Sequence, residues 1–287
     1  KGIVYMQLFY TPDHARVGDV IPYYENGEFK LFYLKNWNPY FGSDKTYGWH
    51  LLTTKDLIHY ESETAIGILG GTGCIIKVEG LYHLYYCVFE DQPQRQYVCH
   101  ATSTDLTNWT KYPDETFGPD ESIYLLTDWR DPHVIWNEEE KCWWMILCAQ
   151  NQGNTKRRGC VGLCKSADLH HWTCCEPLYA PQSSMSAYEC PDLFYMNGWW
   201  YLVFSQFTDR FQTLYRMSRS CNGPWIRPKT DSFDGRAFYA AKTCSDGEHR
   251  YIFGWNPTRT QNTWNFDPDP THEGYDYKTY DWGEVLS

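Results

Sequence analysis

Apolar and polar residues alternate along this chain in short runs, and the runs recur as one phrase. Each copy is a strand-like run, a tight turn, and a second run rich in aromatics. The copies are VIPYYENGEFKLFYL at 20–34, CIIKVEGLYHLYYCVF at 74–89, HVIWNEEEKCWWMILCA at 133–149, DLFYMNGWWYLVFSQ at 192–206 and FYAAKTCSDGEHRYIFGW at 238–255. Asn26-Gly27, Glu79-Gly80, Asn197-Gly198 and Asp246-Gly247 are hairpin turn signals. The mean spacing between copies is about 55 residues, a period that belongs to repeat architectures.

A second phrase follows the hairpins: TTKDLIHYE at 53–61, TSTDLTNWT at 102–110, KSADLHHWT at 165–173, and a degenerate MSRSCNGPW at 217–225. Its Asp56, Asp105 and Asp168 suit a turn in which a carboxylate accepts backbone N–H bonds. The aromatic that follows is expected to pack between repeats. Four strands per repeat, five repeats and no convincing helix predict an all-β fold, a five-bladed β-propeller over 1–287 as a single catalytic domain. Residues 256–287 have no hairpin phrase and are expected to close the last blade or cover a surface.

In a propeller the first strand of each blade lines the central channel, so residues at one phase of the repeat ring one mouth. Counted about eight to ten positions back from each turn, the five copies give Asp19, Thr72, Asp131, Glu189 and Tyr239. Three of these are acids. Carboxylates that face one another raise at least one pKa, and such pairs are the equipment of sugar hydrolysis. Aromatics supply stacking faces for sugar rings, and Trp37, Trp49, Trp129, Tyr188 and Trp255 are candidates near the same mouth. Asn38 and Thr72 could meet sugar hydroxyls. Arg130 could do the same or hold a carboxylate in place. Asp128 and Asp192 read as turn or supporting residues.

Composition narrows the class. Aromatics make up 18% of the 287 residues, with 24 Tyr, 14 Trp and 14 Phe, which favours strands. The formal net charge of −11 argues against nucleic acid as a partner. No apolar run is long enough for a membrane helix. The expected partner is a small-molecule or oligosaccharide substrate, with no cofactor and no metal; the sequence leaves the oligomeric state open. The 12 Cys sit largely inside strand-like runs, which suits free thiols in a reducing, cytoplasmic setting.

Several segments resemble glycoside hydrolase family 32, the invertase, inulinase and levanase family. Trp129-Arg130-Asp131-Pro132 is similar to its Arg-Asp-Pro motif, and Glu189-Cys190-Pro191-Asp192 to its Glu-Cys motif. KLFYLKNWNPY resembles its first-blade strand, DGRAFYAAKT at 234–243 its fifth-blade phrase, and DWGEVLS its closing segment. The resemblance implies a retaining β-fructofuranosidase-like hydrolase. Asp19 would be the nucleophile, Glu189 the acid/base and Asp131 the transition-state stabiliser. It also implies that the family's C-terminal β-sandwich is absent from these residues. The departures lie around Asp19, where Arg16-Val17-Gly18-Asp19-Val20-Ile21-Pro22 replaces Trp-Met-Asn-Asp-Pro-Asn-Gly. Leu34 stands for a Gln, and Thr72-Gly73-Cys74 for Ser-Gly-Ser. A family 43-like arabinofuranosidase or xylosidase, and a carbohydrate-binding propeller without turnover, are the competing readings.

Overall fold

The computed structural model describes residues 17–35, 48–61, 63–153, 155–185, 187–208, 212–235, 238–257 and 283–286, with Tyr10, Pro12 and Ala15. Their hairpins follow the repeated phrase. The strands are β1 (Val17–Glu25), β2 (Glu28–Lys35), β3 (Gly48–Thr54), β4 (Thr64–Ala65), β5 (Gly73–Val78), β6 (Leu81–Asp91), β7 (Gln94–Ser103) and β8 (Thr110–Lys111). They continue as β9 (Tyr124–Asn137), β10 (Cys142–Asn151), β11 (Gly159–Ser166), β12 (Thr173–Tyr179), β13 (Tyr188–Met196), β14 (Trp199–Gln206), β15 (Gln212–Ser218), β16 (Tyr239–Ser245), β17 (Arg250–Pro257) and β18 (Gly283–Leu286). Among the described residues the helical content is one 3₁₀ turn, Pro113–Glu115.

The turns obey their chemistry. A type I′ hairpin needs positive φ at both central residues. Asn26 and Gly27 supply 55° and 79°, and Asn197 and Gly198 supply 53° and 82°. The looser third turn is held by Asn137 Oδ1, which accepts the N–H groups of Glu139 and Glu140 at 3.0 and 2.9 Å. The second phrase is a turn motif, as its Ser/Thr-x-Asp-Leu pattern predicts. Ser103 Oγ accepts from Asp105 and Leu106, and Asp105 Oδ1 accepts from Thr107 and Asn108. Asp168 repeats this arrangement.

The strands assemble into four antiparallel sheets: β5-β6-β7-β8, β9 to β12, β13-β14-β15, and a seven-stranded sheet in the order β16-β17-β18-β1-β2-β3-β4. The short closing strand β18 makes that large sheet. It pairs with β17 on one side and with β1 on the other. The first strands pack on one another in sequence: β1 on β5, β5 on β9, β9 on β13, β13 on β16, and β16 back on β1. This is an all-β propeller. Its apolar core lies between sheets, in four clusters. Trp109 and Trp172, the aromatics of the turn phrase, pack into two of them, between neighbouring sheets as expected.

One irregularity positions the site. In four first strands the ladder shifts register at the same level: between Val17 and Val20, between Arg130 and His133, between Glu189 and Asp192, and between Tyr239 and Lys242. These are β-bulges, which bend a strand and re-aim its side chains. Asp131, Cys190 and Ala240 occupy equivalent places in them and share positive φ, 57°, 48° and 51°.

Candidate active site

The five positions counted from the turns do meet at one mouth, but they are not at one phase. Relative to the bulge, Glu189 and Tyr239 stand just before it, Asp131 is its first residue and Asp19 its second. The equal-spacing expectation is corrected in that respect. The bulge adds a residue and turns it, so three successive strand positions, which would otherwise point alternately, face one site.

Asp19 is held at both carboxylate oxygens. Trp255 Nε1 donates to Oδ1 at 3.0 Å, and Thr72 Oγ1 donates to Oδ2. Thr72 is fixed by its neighbours: a side chain at Gly73 would run into the carbonyl oxygen of Tyr85, so β5 and β6 approach too closely there for any residue but Gly. Cys190 Sγ lies 3.7 Å from Asp19 Oδ2 and 3.7 Å from Asp131 Oδ2. Burial, with the neighbouring negative charges, pushes this thiol well above its ordinary range. It therefore stays protonated between two carboxylates, as a weak donor and not as a thiolate. Asp131 Oδ2 also accepts the backbone N–H of Cys190 at 2.9 Å, which the positive φ of Cys190 aims at it.

Glu189 is oriented by Tyr239, whose hydroxyl donates to Oε2, and by Arg130, whose Nη2 donates to Oε1 at 2.8 Å. Arg130 Nη1 reaches Asp128 Oδ1 at 2.7 Å and Gln96 Oε1 at 3.2 Å. Gln96 also accepts the N–H of Trp129 at 2.9 Å, and Gln150 donates to the other oxygen of Asp128 at 2.7 Å. Arg130 is thus a carboxylate holder. Gln96 escaped the sequence reading because it lies on β7, outside every motif. Asp192 is buried one layer below, taking the N–H of Thr243 at 2.5 Å and facing His133 at 3.3 Å.

Burial first, and then the charge of Asp131, push the Asp19 carboxyl up to about 6; hydrogen bonds from Thr72 and Trp255 pull it down, and Glu189 adds a smaller upward push. Asp19, Asp131 and Cys190 bring their ligand atoms within 4.8 Å of one another.

The structure moves three expected sugar contacts elsewhere. Trp49 is 1% exposed and packs among Phe32, Leu34 and Tyr86 between sheets. Tyr188 is equally buried, packing on Tyr179 and Phe204 with its hydroxyl at Ser183. Their aromatic area went to core burial, which stabilises more than an exposed stacking face. Trp129 is buried likewise. Thr72, Tyr239 and Trp255 stay at the mouth, and all three serve the carboxylates. Trp37 and Asn38 lie outside the described residues.

Arg130→Ala removes the cation between Asp128 and Glu189, and the Arg130 side chain is only 16% exposed. Breaking such a pair leaves uncompensated buried charge. A loss of about 3–5 kcal/mol in urea unfolding is expected.

Three comparisons bear on this arrangement. The model of the glycosyl hydrolases family 32 N-terminal domain matches residues 20–276. A levanbiose-producing levanase of Bacillus subtilis is 26% identical over 258 residues, covering 82% of this chain and 45% of the levanase. The sucrose-6-phosphate hydrolase of Escherichia coli is 28% identical over 243 residues, covering 72% of this chain and 48% of that enzyme. The chain therefore spans under half the length of these two relatives. A solved β-fructofuranosidase of Bombyx mori superposes with a TM-score of 0.70 at 22% identity, over 97% of this chain and 61% of that one.

Proposed function

Because this chain belongs to glycosyl hydrolase family 32, on a match that covers residues 20–276, we propose that it is a β-fructofuranosidase-like hydrolase that cleaves its bond with retention. The observation that carries this reading is the convergence of Asp19, Asp131 and Glu189, each held by separate donors, at one bulged level of the first strands. The fold is read as five-bladed. Support comes from the closed succession of contacts among β1, β5, β9, β13 and β16.

Asp19 is the nucleophile. Its carboxylate attacks the anomeric carbon while Glu189 gives its proton to the departing glycosidic oxygen, so the carbon–oxygen bond to the leaving group breaks as the bond to Asp19 forms. Glu189, now a carboxylate, takes a proton from water. That water attacks the same carbon and returns Asp19 to its ionised form. Thr72 and Trp255 keep the Asp19 carboxylate in one orientation, and Arg130 and Tyr239 do so for Glu189. Asp131 accepts hydroxyls of the sugar ring and stabilises the positive charge that develops on it. A carboxyl near 6 at Asp19 means the nucleophile is ionised only above mildly acid pH, which sets the acid limb of kcat/KM.

Substrates are proposed from the relatives' names: sucrose, its 6-phosphate, or fructans such as levan. The test is a panel of sucrose, sucrose 6-phosphate, inulin, levan and an aryl arabinofuranoside. Release of fructose by the wild type and not by Asp19→Asn is expected. Arabinose release would replace this reading with the family 43-like one. Saturable sugar binding without turnover of any panel member would favour a binding propeller. All 12 cysteines are free thiols, which fits the proposed reducing, cytoplasmic setting.

A further inference from the structure

Away from the carboxylates of the mouth, a group of histidines joins the second and third sheets. His100 lies on β7, Glu115 on the 3₁₀ turn after β8, and His170 in the turn after β11. His100 Nδ1 is 2.6 Å from Glu115 Oε2, and His170 Nδ1 is 2.8 Å from Glu115 Oε1. Three chain segments thus bring two imidazole nitrogens to the two oxygens of one carboxylate, with all ligand atoms within 4.8 Å of one another. The proposed chemistry at Asp19, Asp131 and Glu189 makes no use of them.

We propose that His100, Glu115 and His170 bind one divalent transition-metal ion, zinc by their donor chemistry, and that the ion clips the second sheet to the third. Two imidazoles and one carboxylate are the donor set that suits Zn²⁺, whereas Ca²⁺ and Mg²⁺ prefer oxygen throughout. Zinc–ligand bonds of about 2.0–2.2 Å put tetrahedral ligand atoms roughly 3.4 Å apart. The His–Glu pairs must therefore open by less than about 1 Å, within reach of side-chain rotation. Coordination through Nδ1 requires that nitrogen to give up its proton.

His100 can keep its remaining proton on Nε2, because His83 Nδ1 lies 3.0 Å away to accept it, with the two ring planes 8° apart. That is the supporting contact metal-binding histidines ordinarily have, and it fixes the tautomer. Tyr85 and Tyr112 stack near-parallel to the His100 ring, at 6° and 25°, and hold its plane. His100 is 3% exposed at its side chain, while Glu115 and His170 are 21% and 38% exposed. The site is therefore anchored at one side and open to solvent at the other, leaving a position for water and a path for entry.

The experiment is calorimetric titration of the chelator-treated full chain with ZnCl₂, repeated with Co²⁺ read by its visible absorption, alongside thermal melts. One ion per chain and a higher melting midpoint with zinc are expected. His170→Ala and Glu115→Gln, both at part-exposed side chains, should weaken binding more than about 100-fold, beyond the effect typical of losing a supporting contact. His171→Ala removes the exposed neighbour that pairs with Asp168, and Asp19→Asn takes one carboxylate from the other group of close ligand atoms; both should bind zinc like wild type. Absence of saturable one-to-one binding at millimolar zinc overturns the proposal. So does binding that survives His170→Ala, or that is lost in Asp19→Asn.

Discussion

Glu189→Gln is expected to lower hydrolysis of a fructoside with a sugar leaving group by about 10³–10⁴-fold, while an aryl fructoside with a good leaving group still reacts with Asp19 and then stalls. The reason is the position of Glu189 in both halves of the reaction. A sugar alkoxide cannot depart without the proton that Gln cannot give. A phenolate can depart unaided, but the covalent intermediate then waits for a base that Gln cannot be. Gln keeps the shape of Glu: its carbonyl oxygen can still accept from Arg130 Nη2, and the Tyr239 hydroxyl can rotate to accept from its amide N–H, so the fold is retained. Initial rates on the two substrates, with a burst of aryl release equal to the enzyme present, check this split. Equal losses on both would mean that Glu189 acts through structure.

Asp19→Asn is expected to abolish turnover and yet raise stability above pH 6. Burial and Asp131 hold the Asp19 carboxyl up from 3.8 to about 6 in the folded chain. A carboxyl raised on folding binds its proton more tightly when folded. Its favourable contribution is therefore present below about pH 4 and is lost as pH rises through about 6. The shift at full weight corresponds to about 3 kcal/mol. Asp19 is only part-buried, so solvent screens its charge and a gain of about 1–2 kcal/mol for the neutral Asn is the expected size. Urea melts at pH 7.5 and pH 4 should show the gain at the first and none at the second. Such a trade of stability for a charged nucleophile is common at active sites. A loss of stability at pH 7.5 would show that Asp19 serves the fold.

The hairpins, the turn motif and the gathering of the three acids were readable because each rests on local chemistry repeated along the chain. Asn26-Gly27 and Asn197-Gly198 name their turn, and Asp105 and Asp168 cap theirs, wherever the fold places them. The bulges were not readable. An extra residue in β9 or β13 looks like ordinary strand sequence, and only the ladder reveals that Asp131 and Cys190 take positive φ. For the same reason equal spacing misjudged the phase of Asp19 against Glu189. Trp49 and Tyr188 were misplaced because a Trp or Tyr near a strand end serves equally as core or as stacking face. Gln96 and the histidine group were invisible because contacts between sheets carry no sequence signature.

The most direct test of the three-acid account is to trap its intermediate. Glu189→Gln would be mixed with an aryl fructofuranoside, quenched in acid within the burst and digested, and the peptides weighed. The account predicts one hexosyl residue added to the peptide that carries Asp19, and none in the Glu189→Gln, Asp19→Asn double variant. An adduct on another peptide, or aryl release with no adduct at all, would contradict it.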